Sequence, residues 1–287
     1  MQSRTDPFGA YALTGWRAAL HRIASALPRD WTGKQLRSAL RRLALIGRPL
    51  PVDVTVLGGA RMRLYPGDNL TDKHLFADPH HWDEAERAAI AGAIDGWQED
   101  GPVTFVDLGA NVGAYSLAAI FAARRGGRTI RVLAIEPGAV ARERMGFNLK
   151  ASGCGAEITV MGAAIGPLGS DWQILAMKRN LGETQLVPAT GIENQVPVSP
   201  LADALVQSGF TRPDIIKIDI EGLESIVLHD YFNAVAPEAL PRLIIAETRG
   251  GKSLEIARLC ATAGYERLFD NGRNGAFLRI PATLTAR

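Results

Sequence analysis

The spacing of apolar and polar positions changes several times along the chain, and each change marks a predicted element. Over residues 11–27 apolar side chains recur at helical spacing (Leu13, Trp16, Leu20, Ile23, Leu27), and over 34–46 they do so again (Leu36, Leu40, Leu43). Arginines lie between them, which predicts two short basic amphipathic helices. Segments 54–56 and 61–64 flank Gly58-Gly59. A glycine pair in that setting predicts a hairpin, because both turn positions can take positive φ. Over 82–97, Trp82, Ala85, Ala89, Ala93 and Trp97 form one stripe above an acidic first turn, which predicts an amphipathic helix ended by Gly101-Pro102.

From residue 103 onward the pattern becomes short, nearly continuous apolar runs alternating with helix-length segments. Strands are predicted at 103–108, 130–136, 157–161, 214–220 and 242–247, apolar on both faces as buried parallel strands require. Helices fit between them at 112–125, 138–152, 200–208, 222–233 and 252–263, with Ser199 as N-cap and Pro200 in the first turn of the third. Such alternation calls for a parallel α/β sheet with right-handed crossovers. Two last strands, 265–269 and 276–280, flank a turn-rich Asn271-Gly272-Arg273-Asn274-Gly275 and read as an antiparallel hairpin. Residues 170–198 exceed what a crossover needs and predict extra strands or a lid. The chain therefore divides into a basic helical extension (1–50), a β-hairpin and helix leading inward (51–100) and an α/β domain (101–287).

Composition narrows the classes. With 287 residues, 47% of them hydrophobic, the chain can bury a substantial core. Its net charge of +2 is too even to imply a nucleic-acid partner. The charge is unevenly placed: residues 1–50 hold nine basic and two acidic side chains, +7, which leaves −5 for the remainder. The extension reads either as a cap packed on the main domain or a partner protein, or as a segment docking on an anionic membrane surface. Two cysteines, Cys154 and Cys260, suggest neither a disulfide framework nor a zinc site. No run approaches the roughly 18 apolar residues of a membrane span, and no signal peptide is evident. A cytoplasmic protein is expected, with its oligomeric state open.

Three constellations carry chemistry. In Phe105-Val106-Asp107-Leu108-Gly109-Ala110-Asn111-Val112-Gly113 an apolar strand ends in an acid and enters a glycine loop that opens a helix. Gly109 and Gly113 let the backbone turn and approach a ligand, and Asp107 can accept hydrogen bonds from it. The spacing is Gly-x-x-x-Gly rather than the Gly-x-Gly-x-x-Gly of dinucleotide sites. It suits a ligand without phosphates, such as S-adenosylmethionine, whose ammonium an aspartate can hold. Next, 131–136 ends in Glu136, 29 positions after Asp107, placed to clamp ribose hydroxyls or to cap the following helix. Finally, Lys217, Asp219, Glu221 and Glu224 crowd the end of the 214–220 strand. In a doubly wound sheet this strand lies beside 103–108, so Asp219 falls near Asp107, and Lys217 finds partners beside Asp219 or at Glu247. Such a cluster is either catalytic or a structural ion-pair network.

On these motifs the chain resembles the FkbM family of S-adenosylmethionine-dependent methyltransferases over roughly 100–280. The resemblance rests on Val-Asp-Leu-Gly-Ala-Asn-Val-Gly at 106–113, Ile-Glu-Pro at 135–137, Asn148, and Lys-Ile-Asp-Ile-Glu-Gly-Leu-Glu at 217–224, the last string being the most specific. It implies a Rossmann-like class I sheet, mostly parallel with a terminal antiparallel hairpin, and O-methylation of sugars, polyketides or similar metabolites. It also implies that Asp107, Gly109, Asn111 and Gly113 form the methionine-end pocket, that Glu136 clamps the ribose, and that Ala163 in Gly162-Ala163-Ala164 admits the adenine. It does not cover residues 1–50.

The expected reaction is in-line displacement at the sulfonium methyl by a hydroxyl of a small-molecule or glycan acceptor. A protonated alcohol is a poor nucleophile, so a base must be near. Asp219 and Glu221 are the leading candidates, with Asp219 alternatively binding the methionine end or a divalent cation. His74, His80 and His81 form a second set, of which His81 is taken forward. Two rivals stay open: an NAD(P)-dependent oxidoreductase of similar fold, and a non-catalytic nucleoside-binding module docked through its basic N-terminus.

Overall fold

A computed structural model describes residues 6–28, 30–48, 51–167, 198–220 and 222–280, together with the backbone of two strands within 168–197. Helices α1 (Gly15–Ser25) and α2 (Trp31–Leu45) come first. A two-stranded antiparallel sheet of β1 (Val52–Val56) and β2 (Ala60–Leu64) follows, then α3 (Leu70–Ala77) and α4 (Glu84–Asp95). The main domain runs β3 (Val103–Leu108), α5 (Ala114–Arg125), β4 (Ile130–Ile135), α6 (Ala139–Ser152), β5 (Ile158–Met161) and a short β6 (Ala164–Ile165). Strands β7 (Trp172–Ala176) and β8 (Thr184–Pro188) pair antiparallel, as the extra strands expected in 170–198; a lid there lies outside the described residues. Then come β9 (Val198–Ser199), parallel to β6, and α7 (Leu201–Ser208), β10 (Ile215–Ile218), α8 (Glu224–Ala234), β11 (Leu243–Glu247), α9 (Ser253–Thr262), β12 (Tyr265–Asp270) and β13 (Asn274–Arg279).

Seven strands form the central sheet in the order β12-β13-β11-β10-β3-β4-β5. The five from β11 to β5 are parallel, and β13 runs antiparallel to both β11 and β12. The chain winds outward from β3 through β4 to β5, then restarts at β10 on the other side, so the order reverses between β3 and β10. At such a switch point the loops leaving the two carboxyl ends diverge and open a crevice. Phe105 of β3 packs with α4, α5 and the small β1–β2 sheet on one face, and Val106 packs with α7, α8 and α9 on the other. Both faces are covered, which is why the strands read as apolar throughout.

Four local expectations shift. Helix α7 starts at Leu201 with Pro200 as its N-cap and Ser199 in β9; the Pro200 carbonyl accepts from the Ala204 N–H at 3.1 Å. Helix α4 buries Glu86, Ile90 and Ile94 most deeply; of the expected stripe, Trp82 and Trp97 are buried, Ala89 and Ala93 pack against the core at its edge, and Ala85 is exposed. The buried Glu86 is tolerated because its carboxylate accepts from the Asn271 and Asn274 amides at 2.9 and 2.6 Å. In α1 and α2 the described buried residues include Ala24, Gly33, Arg37 and Ala44, while Trp16, Ile23, Leu36 and Leu43 of the expected apolar stripes are exposed. Helix α3 was not expected, and it sits directly above the crevice. Among the described residues no helix is long and apolar enough to cross a membrane.

A buried ion pair ties the N-terminal residues to the body. Asp53 of β1 accepts from Gly9 and Tyr11 N–H groups at 2.7 and 3.1 Å and from Arg63 Nε and Nη2 at 2.8 and 3.0 Å. The Arg63 guanidinium is sandwiched between the Tyr11 and Phe147 rings, 4.7 and 4.0 Å from their centroids. Arg63 N–H donates to Asn148 Oδ1 at 2.8 Å, and Asn148 Nδ2 donates to the Val112 carbonyl at 3.1 Å, so the hairpin reaches the glycine loop through one amide.

Candidate active site

The carboxyl ends of β3, β4, β10 and β11 bring ionisable groups to the crevice, and the loop after β3 adds left-handed bends. After β3 the loop places Gly109, Asn111 and Gly113 at φ of 73°, 50° and 82°. Gly109 has no alternative: a Cβ there would lie 1.9 Å from the Asp219 backbone oxygen. Asn111 is one of the few side chains tolerated in the left-handed region, and its surroundings hold it there. Its N–H donates to Glu136 Oε2 at 2.8 Å, its Oδ1 accepts from Asn69 Nδ2 at 2.8 Å, and its Nδ2 donates to Thr71 Oγ1 at 3.4 Å. Asn69 is also the N-cap of α3, accepting from the Asp72 N–H at 3.1 Å. The helix missed in the sequence therefore steadies the loop.

Glu136 follows β4, and its other oxygen accepts from the Gly138 N–H at 2.7 Å. A carboxylate offers about four lone-pair positions, so two remain after these backbone bonds. Burial raises the Glu136 pKa, and the Gly138 and Asn111 bonds oppose the rise. Ala163 is buried after β5 in the apolar layer that includes α7.

Asp107 is fully buried. Its Oδ2 accepts from Ser116 N–H and Oγ–H at 3.1 and 2.7 Å, and its Oδ1 has no hydrogen-bond donor among the described residues but lies 3.8 Å from Lys217 Nζ. Cα register pairs Lys217 with Asp107 across β10 and β3. Lys217 Nζ donates to Asp219 Oδ2 at 3.1 Å and sits 4.7 Å from the centroid of the Tyr115 ring. Burial alone would lower the Lys217 pKa; Asp219 and Asp107 outweigh it and hold the ammonium above its ordinary value. Burial raises the Asp107 pKa, against the pull of Lys217. Lys217 thus pairs with Asp219 itself and with Asp107, while Glu247, at the end of β11, faces Arg249 at 3.5 Å. The Asp219 side chain is 32% exposed, so within this pair-of-pairs it is the carboxylate open to a ligand. Glu221 lies outside the described residues. Glu224 is a loop staple, accepting from Ile220 and Gly222 N–H groups at 3.1 and 3.0 Å and from Lys252 Nζ at 3.1 Å.

Asp83 was not singled out from sequence. It adopts φ of 40° at the start of α4, accepts from Tyr115 OH at 2.8 Å and from Arg273 Nη1 at 3.1 Å, and so joins residues far apart in the chain. A strained non-glycine backbone held by such contacts is a marker of functional sites. In the sequence Asp83 follows directly on His80, His81 and Trp82. His80 is exposed, and His81 Nδ1 pairs with Asp78 Oδ1 at 2.8 Å. His74 and His81 line a cavity of about 590 Å³ that also includes Asp83. Among the described residues no cluster of three or more His, Cys, Asp or Glu side chains is arranged to hold a metal ion.

The crevice fits a cationic nucleoside better than a dinucleotide. Its polar groups include the remaining lone pairs of Glu136 and Asp219 and the bends of the glycine loop, and Lys217 is already paired with two carboxylates rather than held for a pyrophosphate. Gly109, where a Cβ would fill the close approach of loop to loop, supplies the narrowness of the floor.

Comparison with known proteins bears on the same residues. The family model described as "Methyltransferase FkbM domain" matches residues 107–258. No curated protein matches the chain. Among solved structures, a METTL16 MTase domain superposes with a TM-score of 0.50 at 12% identity, covering 93% of this chain and 92% of that one. Methyltransferase FkbM from Methylobacillus flagellatus KT gives 0.45 at 18% identity and covers 91% of this chain, which spans 58% of that protein. A SAM-dependent methyltransferase from Agrobacterium tumefaciens gives 0.46 at 13% identity, covering 82% and 72%.

Proposed function

The chain belongs to the FkbM family of S-adenosylmethionine-dependent methyltransferases, built on the class I sheet, and from that premise we propose that it methylates a hydroxyl oxygen of a sugar, glycoside or secondary metabolite. Bound in the crevice, S-adenosylmethionine supplies an electrophilic methyl group on a sulfonium sulfur. The lone pairs of Glu136 left by Asn111 and Gly138 accept from the ribose hydroxyls, and Ala163 flanks the adenine. Asn111 and Gly113 shape the loop at the methionine end. Asp107 holds that loop through Ser116 and holds Lys217 upright, so it positions the methionine end from beneath. Acceptor chemistry falls to Asp219. Its Oδ2 is taken by Lys217, and Oδ1 is left to orient the acceptor hydroxyl and accept its proton. Glu221 and His81 are the further acid–base candidates, in that order. The observation that carries this reading is the Lys217–Asp219 pair: an open carboxylate fixed by a buried ammonium one strand from the glycine loop, across the switch point.

Calorimetric titration with S-adenosylhomocysteine, alongside NADH, tests the donor side; turnover with a panel of glycosides tests the rest. Asp219→Asn should keep donor affinity and lose turnover, and Glu136→Ala should lose donor affinity. An Asp219→Asn enzyme with undiminished turnover removes Asp219 from the mechanism. Heat with NADH but none with S-adenosylhomocysteine favours the oxidoreductase instead.

A further inference from the structure

A cavity of about 590 Å³ between α2, α3 and the start of α4 plays no part in donor binding. Its charges do not balance. Arg37 pairs with Asp78 and donates through Nη2 to the Leu27 and Pro28 carbonyls at 2.9 and 3.1 Å. Asp78 also takes His81, and Asp83 is occupied by Tyr115 and Arg273. Arg41 and Lys73 line the same wall, half-buried, and their side chains make no hydrogen bond or ion pair with any described residue. Burial, then Arg42, lowers the Arg41 pKa; burial, then Arg273, lowers that of His74, which Lys73 and Arg41 also depress. The cavity wall thus carries two cations without an acidic partner among the described residues, beside the His74 imidazole, the Ser38 hydroxyl and the Trp82 indole.

The cavity is linked to the reaction centre. Asp83 on its wall holds Tyr115, whose ring lies under Lys217, which in turn holds Asp219. Two half-buried positive charges without partners attract an anion strongly, because low-dielectric walls weaken screening. Their number selects the anion: a phosphate monoester carries about −1.5 to −2 at neutral pH and three acceptor oxygens, whereas a carboxylate would neutralise one cation and leave the other exposed. Arginine and lysine are the usual partners of such a group.

We propose that the methyl acceptor bears a phosphoryl group, bound by Arg41 and Lys73 in this cavity, while its hydroxyl reaches toward Asp219. The proposal rests on the methyl-transfer reading for what the acceptor is for, and on the cavity alone for its charge.

Inorganic phosphate, glucose 6-phosphate, glucose and acetate serve as probes in calorimetric titrations of the full chain, with S-adenosylhomocysteine titrated separately. Phosphate and glucose 6-phosphate should bind, and glucose and acetate should not. Arg41→Gln and Lys73→Gln should each weaken phosphate by about 10-fold, and the double variant by about 100-fold. Arg128→Gln, the same charge change at the opposite end of the strands, should leave it unaltered. All four proteins should keep the wild-type affinity for S-adenosylhomocysteine and the wild-type melting midpoint, which separates a lost site from lost folding. Equal phosphate binding in the double variant and in Arg128→Gln overturns the proposal, as does acetate binding as tightly as phosphate, or no phosphate binding at millimolar concentration. Phosphate binding that follows this pattern in a protein indifferent to S-adenosylhomocysteine would uphold the anion site and remove the methyl-transfer reading.

Discussion

Replacing Lys217 with methionine isolates the contribution of the buried ammonium. The side chains of Lys217 and Asp107 are 5% and 0% exposed, and methionine fills a similar volume without charge. Asp107 then keeps only its two Ser116 bonds, and a buried charge stripped of its partner costs about 3–5 kcal/mol. For a chain of this size each kcal/mol lowers the melting midpoint by about 2–4 °C, so a fall of roughly 6–20 °C is expected. The pH dependence gives the sharper test. Burial already raises the Asp107 pKa and Lys217 restrains it, so removing Lys217 sends it higher still. A carboxyl whose folded pKa lies above its unfolded value destabilises fully above the folded pKa, and the penalty fades as pH falls toward the unfolded one. Lys217→Met should therefore lag the wild type most at pH 8 and less at pH 5. Adding Asp107→Asn, which removes the stranded charge and can still accept from Ser116, should restore most of the loss. Denaturant melts of the two single variants and the double variant at both pH values complete the cycle. An equal deficit at pH 5 and pH 8, or strictly additive single effects, would refute the pairing of these groups in the folded protein.

Other expectations follow from single contacts. Gly109→Ala drives a Cβ against the Asp219 carbonyl from a left-handed backbone; it should cost about 2–5 kcal/mol in chemical denaturation and weaken S-adenosylhomocysteine, and retention of both stability and affinity would contradict the close approach. Asn69→Ala removes the cap of α3 and the tie to Asn111; a loss of about 1 kcal/mol should accompany weaker donor binding, measured by melting and calorimetry. Asp72 is fully buried with its pKa pushed up to about 7, chiefly by desolvation. Its folded pKa exceeds the unfolded value, so its penalty grows from about pH 4 to pH 7 and is complete above that. Asp72→Asn should accordingly gain stability relative to wild type as pH rises from 5 to 8, and parallel pH–stability curves would disprove it.

The parts of this molecule visible in its sequence are those set by local pattern. Strands buried on both faces leave continuous apolar runs, so β3 is read with its observed bounds, and the acids at 107, 136 and 219 lie at strand ends as their positions imply. Helix α3 escaped because its buried set includes Asp72, a charged residue inside the stripe, which blurs the period that reveals a helix. Asp83 escaped for a different reason. Its partners lie 32 and 190 positions away, and only the folded sheet, with β13 returning antiparallel to the crevice edge, brings Arg273 to it. The apolar stripes of α1 and α2 were only partly legible: the deepest contacts fall to Ala24, Ala44 and Arg37, while Leu13, Leu20, Leu27 and Leu40 are half-buried and Trp16, Ile23, Leu36 and Leu43 stay exposed.

The Arg63 anchor also bears on how this chain is born. Its hydrogen bonds reach back to residue 7 and forward to Asn148, while Arg61 N–H reaches Ser152, 91 positions downstream. During synthesis the leading hairpin therefore stays only partly satisfied until the helix that follows the second parallel strand has left the ribosome. Until then its charged side chain lacks the aromatic ring of Phe147 that covers one face. Long-range closure of this kind delays completion and leaves early segments open to wrong partners, so the N-terminal third depends on the middle of the chain for its final form.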